Sequence, residues 1–374
     1  MLQTHREHTG TTRNRAVMTI VPSARPGTVR QDRCLGNWLF LFAFIVAFLI
    51  VFGGFVRLTR SGLSITEWNP ISGTIPPIGE QAWLDEFGKY QQTPEFQQIN
   101  FNMRLEEYKY IFYIEWIHRF IARFAGLVYA IPAFYFLFTK RIPLKDFGIY
   151  FVMGMLFIAQ AFAGWIMVAS GLVDRPSVSH FNLTIHLLLA LTLLGLALWT
   201  AFGHKYGFPD AARKAKWSLP SKLALISFVI LMIQITYGGF TAGLKAGHVS
   251  DTWPLMMGRL IPPNLFNSLA NLFKSPQTIV FIHRWFAWLG LIAVVYVFWV
   301  VKKQNYPADI QNGLKWLVGI VALQIALGVL TVLSFVNIWI ALIHQANAIL
   351  LFALAVYFIH RFRALDHTYQ QIET

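Results

Sequence analysis

The segment Glu115-Trp116-Ile117-His118-Arg119 stands near the start of an apolar run, Ile111 to Phe138, that is long enough to cross a membrane. Ionisable side chains at membrane depth are costly and tend to mark functional sites. Helical spacing places Glu115, His118 and Arg119 on one face of the predicted helix. Three further apolar runs carry a histidine near one end, namely His186, His283 and His344. The recurrence of an intramembrane histidine is the pattern that an assignment of function has to explain.

The composition is typical of a polytopic membrane protein. Of the 374 residues, 56% are hydrophobic and 13% are charged, whereas soluble domains have about 25% charged residues. The net charge of +14 is spread over the N-terminal segment and alternate links, and this distribution argues against nucleic-acid binding, which needs a basic stripe. Residues 1–34 lack the pattern of a cleavable signal peptide. We predict a disordered cytoplasmic tail there, with an Arg-rich transit peptide as the alternative.

Eight apolar runs are predicted to be transmembrane helices. They cover residues 36–56, 110–138, 147–170, 179–202, 222–242, 278–301, 313–335 and 338–361. Basic residues concentrate before the first run, after the last run and in every second link between runs. The positive-inside rule therefore places both termini in the cytoplasm and the two long loops, 57–109 and 243–277, on the outer side.

The second half of the chain repeats the first in the same order. The matched segments are Gly53-Gly54-Phe55 with Gly238-Gly239-Phe240, Trp68 with Trp253, Ile75-Pro76-Pro77 with Ile261-Pro262-Pro263, Ile117-His118-Arg119 with Ile282-His283-Arg284, Gln160 and Gly164 with Gln324 and Gly328, and His186 with His344. Because four-span units repeat with parallel topology, we predict an all-α membrane protein with eight transmembrane helices arranged as two pseudo-symmetric four-helix bundles. The bundles cover 35–202 and 222–361, with a cytoplasmic linker at 203–221 and a cytoplasmic tail at 362–374.

The four intramembrane histidines share a predicted depth of about 10 Å from the outer side. Pairing His118 with His186, and His283 with His344, would place two imidazoles opposite each other in each bundle. That layout suits axial ligation of a haem in the core of a helix bundle. The alternative is that each imidazole simply hydrogen-bonds to a neighbouring helix. A bare zinc ion is disfavoured because zinc sites use three or four close ligands.

The remaining histidines and the cysteine are not predicted to be ligands. His180 is predicted to lie near a ligand or at the membrane interface, and His248 is a candidate contact for a propionate or a partner. Solvated positions are predicted for the others, namely His5, His8, His204, His360 and His367. The single cysteine, Cys34, allows no intramolecular disulfide and no cysteine-based metal site.

The two halves differ where a catalytic group would matter. Glu115 precedes His118 by three residues, whereas the equivalent residue before His283 is Val280. A carboxylate beside a ligand could support proton or carbocation chemistry on a bound ring. The alternative is that Glu115 only forms an ion pair with Arg119 that holds the end of the helix.

Several basic residues are candidates to neutralise the propionates of a porphyrin through charge-assisted hydrogen bonds. They are Arg57, Arg60 and Arg119 in the first half, and Lys245 and Arg284 in the second. Snorkelling of these side chains to the membrane interface is the alternative interpretation.

The motifs resemble those of the haem A synthase family. The segments 53–64 and 68–77 are similar to the first outer loop of that family. Further similar segments are Glu115 to Arg119, Gln160 to Trp165, Ser177 to Ser179, His186-Leu187, His283-Arg284 and His344-Gln345. The similarity extends over about residues 35–360, and motifs from both halves occur in order.

The resemblance implies an enzyme that oxidises a methyl group of haem O to a formyl group through a hydroxymethyl intermediate. The product, haem A, serves cytochrome oxidase assembly. By position, His118 and His186 would flank the substrate haem O, and His283 and His344 would be the axial ligands of a haem b cofactor. Glu115 matches the catalytically important glutamate of the family. The lack of a cysteine pair in the outer loops implies the cysteine-free branch.

The resemblance also implies partners and a location. The expected partners are haem O, membrane lipid, haem O synthase, cytochrome oxidase assembly factors and an electron donor that the sequence does not identify. The sequence does not decide whether the protein forms a homo-oligomer. A bacterial inner membrane is favoured over a mitochondrial inner membrane. The rival functions are a quinone-linked electron carrier with two b haems, which needs no catalytic carboxylate, and a transporter with histidine proton relays, which would be colourless.

Overall fold

The computed structural model describes residues 31–173, 175–208, 216–304 and 306–370, with side chains up to Asp366. Within these ranges the chain is helical and has no strand. The α-helices are α1 (Arg33–Leu58), α2 (Glu80–Gln91), α3 (Pro94–Gln98), α4 (Leu105–Phe138), α5 (Phe147–Ala169), α6 (His180–Tyr206), α7 (Leu219–Gly243), α8 (Asn271–Lys274), α9 (Pro276–Lys303), α10 (Ala308–Leu333) and α11 (Ile338–Gln370). Eight of them, all except α2, α3 and α8, are long and apolar enough to cross a membrane, which confirms the predicted number. Residues 1–30 of the predicted tail at 1–34, and residues 209–215 of the predicted linker at 203–221, lie outside the described residues. Arg33 and Cys34 of that tail belong to α1.

Local sequence signals set where the long helices begin and end. Asp32 caps α1 by accepting two backbone N–H groups, and Ser218 and Ser275 cap α7 and α9 just before a proline. Beyond the ends of α1 and α7, Arg60 and Lys245 adopt left-handed φ values of 54° and 53°. These two residues occupy equivalent positions after the repeated Gly-Gly-Phe segments, so the two helices end in the same way.

The helix contacts repeat between the first four spans and the last four. Helices α4 and α6 both pack on α1 and on α5, and correspondingly α9 and α11 both pack on α7 and on α10. The two sets meet through contacts of α1 with α11, α6 with α7, and α6 with α11. Each of these four helix pairs in one set thus has a counterpart in the other, which supports the interpretation of a duplicated four-helix unit.

One end of the bundle carries both long connections, residues 59–104 and 244–275, and we call it the loop end. The first connection contains α2 and α3, which the sequence pattern did not predict. Trp83, Phe87 and Tyr90 of this connection are buried against Tyr108 at the start of α4. The first connection therefore has an aromatic core of its own that covers the loop end of the first four spans.

The prediction that His204 is solvated was wrong, because α6 continues to Tyr206 and keeps this residue against its neighbours. Its side chain is only 2% exposed. The Tyr150 hydroxyl lies 2.8 Å from Nε2, and the Asp32 backbone N–H donates to Nδ1 at 3.3 Å. His204 thus joins α6 to α5 and to the start of α1.

The prediction that His360 is solvated was also wrong, since α11 runs on past the predicted end of its span at residue 361. The side chain is fully buried and packs against the rings of Trp199 and Phe202 in α6. His5, His8 and the side chain of His367 lie outside the described residues.

Candidate active site

Each of the four predicted histidines packs against a glycine of the preceding long helix. The pairs are His118 with Gly53, His186 with Gly164, His283 with Gly238, and His344 with Gly328. A Cβ atom added to any of these glycines would lie 2.9–3.3 Å from the imidazole, so only glycine allows the ring to sit this close. Each glycine stands five residues before the last residue of its helix. The same register therefore occurs four times at the loop end, which supports the matched depth predicted for the histidines.

Glutamine side chains orient three of the four imidazoles. The pairs are Gln160 with His186 at 3.2 Å, Gln234 with His283 at 3.2 Å, and Gln324 with His344 at 3.4 Å. Each glutamine lies four residues before the contacting glycine, so the repeated Gln-x-x-x-Gly spacing could have revealed Gln234 as well. In α1 the equivalent residue is Leu49, and His118 instead stacks on Phe52 with ring centroids 6.2 Å apart.

The second histidine pair has the spacing expected of two ligands on one metal ion. The ring centroids of His283 and His344 are 6.4 Å apart, and the ring planes are inclined at 85°. Two imidazoles bonded to one metal ion at about 2 Å each would have their centres about 6 Å apart. The Nδ1 atom of His344 is buried and has no hydrogen-bond partner among the described residues. The residues therefore fit a bis-histidine haem.

The first pair, His118 and His186, resembles the second in its setting. Both side chains are half-buried, and His118 lies close enough to His186 for the two rings to interact electrostatically. Within the described part of the chain, Nδ1 of His186 is also buried without a partner. No group of three or more His, Cys, Asp or Glu side chains forms a metal-binding cluster in that part of the chain. Each half thus offers a pair of imidazole ligands and not a cage for a bare ion.

Glu115 is held rigidly beside the first pair. Its side chain is only 3% exposed. Oε2 accepts hydrogen bonds from the Ser64 hydroxyl at 2.7 Å and the Ile65 backbone N–H at 2.9 Å, and Oε1 accepts two from Arg119 at 2.6 and 3.1 Å. The ion pair that the sequence suggested as an alternative role is therefore present. At the equivalent place in the second half, Val280 is buried and apolar.

Arg119 and Arg284 each hold the start of a long connection. Their guanidinium groups donate at 2.7–3.3 Å to backbone carbonyls, those of Ile65 and Glu67 for Arg119 and those of Ser250 and Thr252 for Arg284. These acceptors occupy equivalent positions three residues and one residue before Trp68 and Trp253. Arg119 also donates twice to Glu115, whereas Nε of Arg284 is buried and has no hydrogen-bond partner among the described residues.

The other basic candidates gather at the loop end, between the two sets of spans. The Arg57 guanidinium donates to the carbonyl of Ala242 in α7, while Arg60 and Lys245 are exposed. Although the residue is exposed as a whole, partial desolvation of its ammonium group lowers the pKa of Lys245, and the positive charges of Arg60 and Arg57 lower it further. His248 is exposed beside the same charges. These groups form a basic patch that would attract an anion.

His180 lies apart from the histidine pairs. Its Nε2 donates to the carbonyl of Phe273 in α8 at 2.9 Å, and its ring contacts Phe181 and Phe240. The residue therefore links the start of α6 to the second long connection. A place at the membrane interface stays a prediction.

The fold and the site define an all-helical, multi-pass membrane protein with four histidines in the same register of its long helices. The COX15-CtaA family, described as a cytochrome oxidase assembly protein, matches residues 36–356. A protein of Wolbachia pipientis named Heme A synthase is 42% identical over 86% of this chain and 91% of its own. Proteins of that name from Maricaulis maris and Flavobacterium psychrophilum are 40% and 39% identical, covering 86% and 89% of this chain and 94% and 99% of theirs. The chain belongs to the COX15-CtaA family.

Proposed function

We propose that this protein is a haem A synthase, an oxidoreductase that converts a methyl group of haem O to a formyl group through a hydroxymethyl intermediate. The observation that carries the proposal is an asymmetry between two equivalent sites. Both sites have a histidine pair in the same register, but only the first has a buried carboxylate beside it. Relatives that bear the name Heme A synthase support the same activity.

In this proposal, His118 and His186 bind the substrate haem O, and Glu115 is the catalytic residue. Glu115 lies one helical turn before His118 and therefore faces the same side of α4. Because four hydrogen bonds fix both of its oxygens, its negative charge is preorganised at one place. A fixed charge stabilises positive charge that develops on the reacting carbon, and a carboxylate oxygen can also accept a proton.

The second pair, His283 and His344, would hold haem b. A bis-histidine haem supplies one-electron redox chemistry when it is bound. Gln234 and Gln324 hold the two rings through their amide Nε2 atoms, which lie 3.2 Å from Nδ1 of His283 and 3.4 Å from Nε2 of His344. Outer partners of this kind set the orientation of metal-binding histidines. Val280 keeps this site free of a carboxylate, which suits an electron-transfer role.

Among the basic residues, Arg57 and Arg60 are the better candidates for propionate contacts. Arg60 is exposed at the loop end, and Arg57 has further donors beyond the one that reaches Ala242. Arg119 is assigned instead to holding its loop and Glu115, because most of its donors already have acceptors. Arg284 holds its loop through two carbonyls and keeps its Nε donor for a further acceptor. Lys245 belongs to the same basic patch and would add charge for the second haem.

The division of the chain follows the duplicated helix contacts. We assign residues 35–202 to the substrate half and 222–361 to the haem b half, with the termini and the linker in the cytoplasm as the positive-inside rule predicts. The favoured location is a bacterial inner membrane. Haem O synthase and cytochrome oxidase assembly factors are the proposed partners.

The test is a pigment analysis of the Glu115→Ala variant, purified from cells that supply haem O. We expect retained haem b together with accumulated haem O or its hydroxymethyl derivative, because the variant keeps all four histidines. Glu106→Gln is the matched control, since Glu106 is an exposed carboxylate of the same helix. Extraction and mass analysis of the haems give the readout.

The outcomes separate the candidate functions. Wild-type protein that carries haem b but yields no formyl-bearing haem would favour the electron carrier, and colourless protein would exclude every haem function. Normal haem A output from Glu115→Ala would remove Glu115 from the mechanism while leaving the activity itself intact.

A further inference from the structure

Gln345 connects the two sets of spans at the level of the histidines. It follows His344 directly in α11, yet its side chain reaches the first helix of the chain. Its Nε2 donates to the backbone carbonyl of Ile50 in α1 at 2.8 Å. A Cβ atom on Gly54 would overlap with the Gln345 amide group, so the amide occupies a space that only a glycine leaves open.

The neighbouring glycine of α1 faces the other histidine site. A Cβ atom on Gly53 would lie 3.3 Å from Nε2 of His118. Two consecutive glycines in α1 therefore touch the two sites, with His118 against Gly53 and Gln345 against Gly54. A continuous path of contacts therefore leads from His118 through Gly53, Gly54 and Gln345 to His344.

The equivalent seam between α6 and α7 is built differently. There a Cβ atom on Gly239 would lie 2.7 Å from the hydroxyl oxygen of Thr184. The Thr184 hydroxyl donates at 2.8 Å to the carbonyl of His180 in its own helix, so its one donor is not used across the seam. The glutamine at the α1–α11 seam is thus a departure from the internal repeat and not a requirement of helix packing.

We propose that Gln345 is a positioning residue that fixes the His344 ligand relative to the substrate site. Its hydrogen bond to Ile50 sets the height and rotation of α11 against α1, and His344 is the adjacent residue. This inference rests on the proposed function, because it treats His344 as a haem ligand and His118 as part of the substrate site. Gln345 would then link the two halves, because its side chain contacts α1 in the first half and it adjoins His344 in the second.

The proposal predicts different effects for substitutions at two neighbouring glycines of α1, Gly53 and Gly54. Gly54→Ala should displace the Gln345 amide and alter the electron paramagnetic resonance signal of the haem in the second half, although Gly54 lies in α1. Gly53→Ala, one residue earlier, should alter the signal of the haem in the first half instead. Gln345→Leu removes the hydrogen bond without adding a side chain to α1, and it should reproduce the second-half change if Gly54→Ala does not yield folded protein.

The experiment uses purified holoprotein, with haem content, resonance spectra and haem A output measured for each variant. We expect Gln345→Leu to keep its haem content, to shift the second-half signal and to lower haem A output about fivefold, the effect of one ordinary hydrogen bond. Thr184→Val, at the equivalent seam, is the control and should leave the second-half signal unchanged. A Gln345→Leu protein with the wild-type second-half signal would overturn the proposal, as would an equal shift in Thr184→Val.

If the proposed function itself were wrong, the measurements would give a different result. In that case the wild-type protein itself would lack haem b or formyl-bearing haem. A wild-type protein with both, combined with an unchanged Gln345→Leu spectrum, would reject only the role of Gln345.

Discussion

The Ser64 hydroxyl lies 2.7 Å from Oε2 of Glu115 and donates to it from the first long connection. The carboxylate of α4 is therefore oriented by a residue 51 positions earlier in the chain. Arg119 fixes the other oxygen from within the helix. The position of the Glu115 carboxylate thus depends on how the first long connection packs on the end of α4.

Replacing Ser64 by alanine should impair catalysis without unfolding the protein. A hydrogen bond to a charged group contributes about 1.5–3 kcal/mol, so its loss should lower haem A output roughly 10- to 100-fold. The ratio of haem O to haem A in extracted pigment measures this effect. Ser72→Ala, an exposed serine of the same connection, should behave as wild type. Full activity of Ser64→Ala would show that the carboxylate keeps its orientation without the hydroxyl.

Replacing Gln234 by leucine should weaken haem b binding. Gln234 donates to Nδ1 and to the carbonyl of His283 at 3.2 and 2.9 Å, and loss of such an orienting partner typically costs about 10- to 100-fold in affinity. The readout is the haem b retained per protein after purification and after a competing apo-haem acceptor is added. Gln311→Leu is the control, because Gln311 bonds to Tyr306 far from the histidines. Equal retention in both variants would contradict an orienting role.

Replacing Arg284 by leucine should loosen the second long connection. The change removes two hydrogen bonds, to Ser250 and Thr252 at 2.7 and 3.1 Å, and should cost on the order of 1–3 kcal/mol in stability. We expect a lower melting temperature and faster proteolysis within residues 250–260, with haem b content retained. Arg259→Leu, an exposed arginine in the same connection, should have little effect. Loss of haem b with an intact loop would instead identify Arg284 as a propionate contact.

Glu95 should make stability depend on pH. This side chain in α3 is 4% exposed, and burial raises its pKa from an ordinary value of 4.5 to about 7. Tyr90 donates to it at 3.4 Å, Glu115 faces it with like charge, and Lys245 and Arg60 face it with opposite charge.

Between pH 4.5 and about 7, the folded protein binds a proton at Glu95 that the unfolded chain has released. The contribution of Glu95 to stability should therefore fall as pH rises through this window, by on the order of 1–3 kcal/mol, and stay level outside it. Melting temperatures measured from pH 4.5 to 8 should show a steeper decline for wild type than for Glu95→Gln. Glu80→Gln, an exposed glutamate of α2, should keep the wild-type slope.

The transmembrane helices and the histidine pattern could be predicted from the sequence because both depend on short-range regularities. A run of apolar residues has to span the bilayer, and the histidines recur at matched distances from helix ends. The glutamines opposite His186 and His344 follow from the same repeat. A pattern that occurs twice within one chain can be recognised from that chain alone.

Contacts between distant segments were not predictable in this way. Helix α3 has only five residues. In α2, Trp83, Phe87 and Tyr90 follow the i, i+4, i+7 spacing of a helix face, but nothing in the local sequence shows that they pack on Tyr108 of α4. The burial of His360 depends on Trp199, which lies on another helix. Likewise, the contact of Gln345 with Gly54 joins residues almost 300 positions apart, and nothing in either local sequence marks it.

Each pair of consecutive transmembrane helices forms a hairpin that supplies one contacting glycine and one histidine. This arrangement has a consequence for how the protein is assembled. A hairpin inserted alone contains half of a binding site, so neither histidine pair exists until two hairpins have met within the bilayer. With the haem sites proposed above, haem would bind only the assembled form and would stabilise it by mass action. Cofactor loading would thus act as a late checkpoint, and chains starved of haem should accumulate as loosely associated hairpins that membrane proteases can remove.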